Sequence, residues 1–159
     1  MRRILVAVDG TAASREAART ALEFAERLCH RVTFVHVLPH RVADEPGEAP
    51  EFAAFESACE QYAEDLLKEA CSDAGPRSWS VTTQVEHGDP ATVISTLAAA
   101  EDVDLVIVGA RTRGTLARAL LGSVSGELMS RCPKPVLVVP ERSISTETVS
   151  ALARAASDR

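Results

Sequence analysis

Five short apolar runs divide this chain, and the segments between them change period. Ile4 to Val8, Val32 to Leu38, Asp104 to Val108 and Pro135 to Pro140 are apolar at nearly every position. A run that short and that continuous reads as a strand buried on both faces. In the remaining run Trp79, Val81, Thr83 and Val85 alternate with polar residues, which predicts a less buried strand at a sheet edge. Between the runs, apolar residues recur at helical spacing. Ala17, Ala18, Ala21, Leu22, Ala25 and Leu28 form a first stripe, with Thr11 or Ser14 as its N-cap. Phe52, Phe55, Cys59, Tyr62, Leu66, Leu67 and Ala70 form a second, stopped by Gly75-Pro76. Asp89 and Pro90 open a third helix that faces inward through Val93, Ile94 and Leu97, and Gly122-Ser123 opens a fourth that stops at Cys132-Pro133. Strands and helices alternate throughout, so the sheet is parallel and needs helices on both faces. The expected fold class is α/β, a three-layer doubly wound sheet of five parallel strands.

Composition sets the bounds of function. A chain of 159 residues with 46% hydrophobic and 25% charged residues is one soluble globular domain that needs no disulfide or metal staple. Residues 1–140 read as that domain. Residues 141–159 read as a tail, mobile or docked as an extra helix through Val149, Leu152 and Ala153. The apolar runs fall far short of the ~20 residues a membrane span requires, so no membrane association is expected. Asp9 interrupts the first apolar run, so the start is a poor signal peptide and the expected location is cytoplasmic. A net charge of −6 with 4% aromatics disfavours nucleic acid as a partner. Cys29, Cys59, Cys71 and Cys132 form no CxxC pair and read as reduced, buried thiols.

In an open parallel sheet, ligands bind beyond the carboxyl ends of the strands, at the point where the strand order reverses. Ala7-Val8-Asp9-Gly10, Val35-His36-Val37-Leu38 and Val108-Gly109-Ala110 are therefore the strand ends of interest. The last runs through Arg111-Thr112-Arg113-Gly114 to Gly122-Ser123-Val124-Ser125 at a helix start. Glycines let backbone N–H groups approach a phosphate, and a helix N-terminus adds free donors and a positive dipole. Arg111, Arg113 and Arg118 make this the one locally basic stretch of an acidic chain, which suits a polyanion. A connecting loop with solvated arginines is the equally weighted alternative. Walker A, GxGxxG, HExxH, metal-spaced Cys/His and GxSxG patterns are all missing from the sequence. Among single residues, His36 reads as a satisfied core histidine and His30, His40 and His87 as solvated. Asp102 and Asp104 read as caps of the turn before the fourth apolar run, and Trp79 as packing at a sheet edge or interface.

These pieces together resemble the universal stress proteins of the UspA type from Arg3 to Pro140. The resemblance is carried by Ile4-Leu5-Val6-Ala7-Val8-Asp9-Gly10 with Ser14 beyond it, by Val35-His36-Val37 and by Gly88-Asp89-Pro90. Further along, Asp104-Leu105-Val106-Ile107-Val108-Gly109, Leu121-Gly122-Ser123-Val124-Ser125 and Cys132-Pro133-Lys134-Pro135-Val136-Leu137-Val138-Val139-Pro140 complete it. The resemblance implies strand order 3-2-1-4-5, the adenine-nucleotide alpha-hydrolase-like arrangement, and ATP binding in a cytoplasmic stress-response protein acting as regulator or adaptor. The ATP-binding branch carries Gly, two residues, Gly, nine residues, then Gly-Ser or Gly-Thr. Here Gly109 and Gly122-Ser123 match and Thr112 stands at the middle glycine. A β-branched residue there resists positive φ and holds a ligand further off.

By resemblance, Ala7, Val8 and Asp9 would lie beside the ribose or phosphates, Val37 against adenine, and Val108 and Gly109 under the ribose. Gly122, Ser123, Val124 and Ser125 would hold the phosphates, with Arg111 and Thr112 in the connecting loop. A divalent ion such as Mg²⁺ can accompany the phosphates, with Asp9 as its protein partner. The resemblance also implies a homodimer along the last strand, Val136, Leu137, Val138 and Val139, and a further protein partner of unknown kind. No catalytic residue set is present, so at most slow ATP hydrolysis is expected. The alternative is a nucleotide-free homodimeric adaptor, favoured by Thr112. An adenylating ligase domain is a third reading, opposed by the short length and missing catalytic groups.

Overall fold

In a computed structural model of the chain, residues 2–39, 50–72, 74, 81–110 and 122–141 are described. Nine elements follow one another: β1 (Arg3–Ala7), α1 (Ala12–Leu28), β2 (Arg31–Leu38), α2 (Pro50–Ser72), β3 (Val81–His87), α3 (Pro90–Ala98), β4 (Val103–Ala110), α4 (Ser123–Arg131) and β5 (Val136–Pro140). The five strands form one sheet in the order β3-β2-β1-β4-β5, every pair parallel. The alternating strand, β3, lies at an edge as its pattern predicts, and β5 lies at the other. Fold class and strand order agree with the sequence reading.

The continuous apolar character of β1 follows from its central place. Ile4, Val6 and Val8 enter a core shared with α1 and α2, while Leu5 enters a second core with α3 and α4. Successive strand residues point to opposite faces, so the residues of β1 that enter the two cores are apolar on both sides. Phe34 and Val32 serve the first core and Val35 the second, on β2. In β4, Ile107 and Val106 do the same. Small residues along α1 (Ala17, Ala18, Ala21, Ala25) let it lie close to the sheet.

Local signals hold at the helix ends. Thr11 is the N-cap of α1, its hydroxyl accepting the Ser14 N–H at 3.2 Å. Ser14, the other candidate cap, is buried within the first turn. Cys29 closes α1 in the left-handed region at φ 54°, a position that glycine usually fills.

Several expectations need correction. Phe55 and Tyr62 do not join the α2 core stripe: they are 66% and 58% exposed, and the inward face is Ala63, Leu66, Leu67 and Ala70. Leu28, the last residue of α1, is likewise half exposed. None of the four thiols is buried: Cys29 is exposed and Cys59, Cys71 and Cys132 are half-buried, all free. Asp102 and Asp104 do more than cap a turn. Asp102 pairs with Arg3 (3.0 Å) and Arg31 (3.5 Å), and Asp104 with Arg2 (3.0 Å) and His30 (3.2 Å), tying the starts of β1, β2 and β4 together. His30 is therefore held by protein groups, with Nδ1 also donating to the Leu28 carbonyl at 2.8 Å. The readings placed on His40, Gly75-Pro76, Trp79, Arg113, Gly114, Arg118 and the tail beyond Glu141 fall outside the described residues.

Candidate functional site

A cavity of about 370 Å³ opens at the carboxyl ends of β1, β2 and β4, bounded by the starts of α3 and α4. Its place follows from the winding. The chain moves outward from β1 to β3 with α1 and α2 on one face, then crosses to β4 and β5 with α3 and α4 on the other. Connections diverge where the direction reverses, leaving a crevice. The size lies within the ordinary range for small-molecule sites, roughly 300–1,000 Å³.

Apolar side chains make most of the lining: Val35 and Val37 from β2, Ile94 from α3, Val108 from β4, with Pro39 and Pro90. The polar groups converge from two places. On one side is the turn after β1. The Asp9 Oδ1 accepts the Thr11 N–H at 3.0 Å and the Thr11 hydroxyl at 2.6 Å. Ser14 donates its hydroxyl to the Thr11 carbonyl at 3.1 Å. Gly10 follows with φ +80°, which completes the turn.

On the other side is the start of α4. Its N-cap is Gly122, which brings no side-chain cap. The first intrahelical bond runs from the Gly126 N–H to the Gly122 carbonyl at 2.9 Å. The N–H groups of Ser123, Val124 and Ser125 precede it and present the positive end of the helix dipole to the cavity. The Ser125 hydroxyl is turned inward, donating to the Gly122 carbonyl at 3.1 Å.

The two helix starts at the cavity differ in charge. Asp89 caps α3, its Oδ2 accepting the Thr92 N–H at 2.9 Å and the Thr92 hydroxyl at 2.8 Å. Those bonds, the backbone one first, hold the Asp89 carboxyl below its ordinary 3.8. So α3 supplies its own anion, whereas α4 has no acidic residue in its first turn and no side-chain cap.

Gly109 has a steric reason to be glycine. A Cβ there would lie 2.6 Å from Ala13 C, 2.7 Å from Ser14 N and 2.8 Å from Ala13 O. The end of β4 thus touches the backbone of the first turn of α1, and the Asp9 side of the cavity is held against the β4 side by that contact.

Ten of the twelve residues singled out from the sequence line this one cavity: Ala7, Val8, Asp9, Val37, Val108, Gly109, Gly122, Ser123, Val124 and Ser125. Arg111 and Thr112 lie outside the described residues. Ser14, Val35, His36, Pro39, Pro90 and Ile94 also line it and were not among them. Val35 and His36 stand in the β2 strand end singled out in the sequence, and Val35 shares a face with Val37. Ser14, read as a cap, is a cavity residue because the first turn of α1 starts at the switch point. His36 makes its expected hydrogen bond, with Nδ1 2.7 Å from the Val8 carbonyl, but it is half-buried at the site and not in the core. Among the described residues no group of three or more His, Cys, Asp or Glu could hold a metal ion. Among them, too, no helix is long and apolar enough to cross a membrane.

Fold and cavity define a doubly wound α/β domain with a small-molecule crevice at its switch point. The chain belongs to the universal stress protein family, whose profile matches residues 1–140. It is 32% identical over 140 residues to a universal stress protein of Staphylococcus saprophyticus, covering 86% of this chain and 81% of the relative. It is 31% identical over 154 residues to a universal stress protein of Mycobacterium tuberculosis, covering 87% of this chain but 48% of that protein. The chain thus spans about half the length of the mycobacterial relative. Among solved structures, UspA of Lactobacillus plantarum superposes with a TM-score of 0.70 at 23% identity, over 87% of this chain and 97% of that one. A universal stress protein solved in complex with cAMP gives 0.63 at 23%, over 88% and 97%. One from Archaeoglobus fulgidus in complex with dAMP gives 0.63 at 22%, over 87% and 98%.

Proposed function

We propose that this protein binds an adenine nucleotide, ATP foremost, in the switch-point cavity, and acts as a cytoplasmic stress-response regulator or adaptor. The observation that carries the reading is the pairing of an uncapped helix start at Gly122-Ser123-Val124-Ser125 with an apolar chamber lined by Val35, Val37 and Val108. The helix start fits phosphate: it offers N–H donors and a positive dipole with no carboxylate of its own. The apolar chamber fits a flat heterocycle. Asp9 stands across from the helix start and suits a ribose hydroxyl, or a divalent ion brought in on the phosphates. Ion and nucleotide would enter together, because one carboxylate is too little for a resident metal site. The fold's neighbours solved with cAMP and dAMP support an adenine ligand in this architecture. A homodimer through Val136, Leu137, Val138 and Val139 of edge strand β5 belongs to the same proposal.

Thermal unfolding of nucleotide-stripped protein with ATP, ADP, AMP and cAMP, each with and without Mg²⁺, tests it. A ligand at 100 times its dissociation constant stabilises the folded state by about 2.7 kcal/mol. For a domain of this size that is a rise of several degrees. A rise with ATP that disappears in Gly122→Val is the expected result. No rise with any nucleotide at millimolar concentration would leave the nucleotide-free adaptor as the reading.

A further inference from the structure

The peptide that joins β1 to the cavity is held at both ends by side chains. The Val8 N–H still makes a ladder bond, to the Val35 carbonyl at 2.8 Å. The next peptide unit, between Val8 and Asp9, is held differently. Its carbonyl oxygen, on Val8, lies 2.7 Å from Nδ1 of His36. Its N–H, on Asp9, donates to Oγ of Ser14 at 3.3 Å. A carbonyl oxygen only accepts, so Nδ1 carries the proton, and the bond persists whether the ring is neutral or charged. Ser14 is buried, and its own proton goes to the Thr11 carbonyl, which leaves its lone pairs to the Asp9 amide. The imidazole is braced in turn by Tyr62 of α2, edge-on with ring centroids 6.3 Å apart at 77°.

We propose that His36 and Ser14 are positioning residues that clamp the Val8–Asp9 peptide from its two ends and so aim the Asp9 carboxylate into the cavity. The role in binding rests on reading that cavity as the nucleotide site. A peptide plane at the end of a strand can rotate once the ladder is lost, and rotation here would swing Asp9 and its turn with Thr11. With both polar ends bonded to side chains from β2 and α1, rotation breaks two hydrogen bonds together. The geometry of the site is then written into two residues that need not touch the nucleotide themselves.

The first measurement uses wild-type protein without nucleotide. Long-range ¹H–¹⁵N correlation of the histidine rings reports which nitrogen of His36 is protonated. Protonated Nδ1 is expected, and an unprotonated Nδ1 overturns the clamp. The second measurement is calorimetric titration with Mg-ATP for wild type, Ser14→Ala, His36→Leu and His36→Asn, each shown to be folded by circular dichroism. Asparagine places an amide N–H close to where Nδ1 stands. The expected result is roughly a 10-fold loss of affinity in Ser14→Ala and in His36→Leu, with most of it recovered in His36→Asn. Amide exchange at Asp9 should quicken in Ser14→Ala. Folded variants that bind as tightly as wild type overturn the positioning role. A wild type that binds no Mg-ATP overturns it together with the nucleotide reading, while the tautomer still decides the clamp.

Discussion

Gly109 carries a constraint that motif alone does not show. In the sequence it stands as the first glycine of the pattern that marks the ATP-binding branch, where the resemblance puts it under the ribose. In the fold, the missing Cβ makes room for the backbone of Ala13 and Ser14. Backbone at a helix start cannot swing aside as a flexible side chain could. Gly109→Ala is therefore expected to destabilise the protein by about 1–3 kcal/mol, the usual cost of overpacking. Urea unfolding of wild type and variant checks it, and unchanged stability would show that α1 shifts without cost. His36 carries the opposite lesson. A histidine in an apolar strand reads as core, and only the neighbouring strand reveals that its partner is the carbonyl just before Asp9.

At the scale of elements, the ends of the helices decide more than their middles. Asp89 and Pro90 start α3 as their types predict, and the cap has a pH signature. Because folding lowers the Asp89 pKa, its stabilisation is fully present above the ordinary 3.8 and is lost as pH falls through the depressed value. The melting-temperature gap between wild type and Asp89→Ala should thus be constant at neutral pH and narrow in the acid limb. Asp89→Asn should retain the cap at neutral pH without the acid-limb loss, since the amide oxygen accepts the same bond. Parallel curves at all pH values would show that Asp89 does not titrate with the fold. The α2 stripe was only half legible for a related reason. Helical spacing predicts which residues share a face, but not how wide a strip of that face the sheet covers. Phe55 and Tyr62 fall outside that strip.

At the scale of the whole molecule, β3 and β5 are the two edges of the sheet among the described residues. β3 carries exposed Thr82 and Thr83, whereas β5 is Val-Leu-Val-Val between prolines. An apolar edge of that kind favours pairing with another chain. Sedimentation equilibrium at micromolar concentration is expected to give a dimer. A monomer would mean that the β5 edge is covered within the chain and would remove the dimer from the proposed function.

Element order, the doubly wound class and most of the cavity residues were legible in the chain before any contact was known. Burial on both faces leaves continuous apolar runs, and strand ends in a parallel sheet are where ligands lie, so both can be read locally. What the fold had to settle was which polar groups find partners on other elements. The ion pairs of Asp102 and Asp104 with Arg2, Arg3, His30 and Arg31 join residues up to 102 positions apart. The contact of Gly109 with α1 and the hold of His36 on the Val8 carbonyl likewise bridge separate elements. No local pattern encodes such contacts, because each depends on the register in which two strands, or a strand and a helix, come to lie side by side.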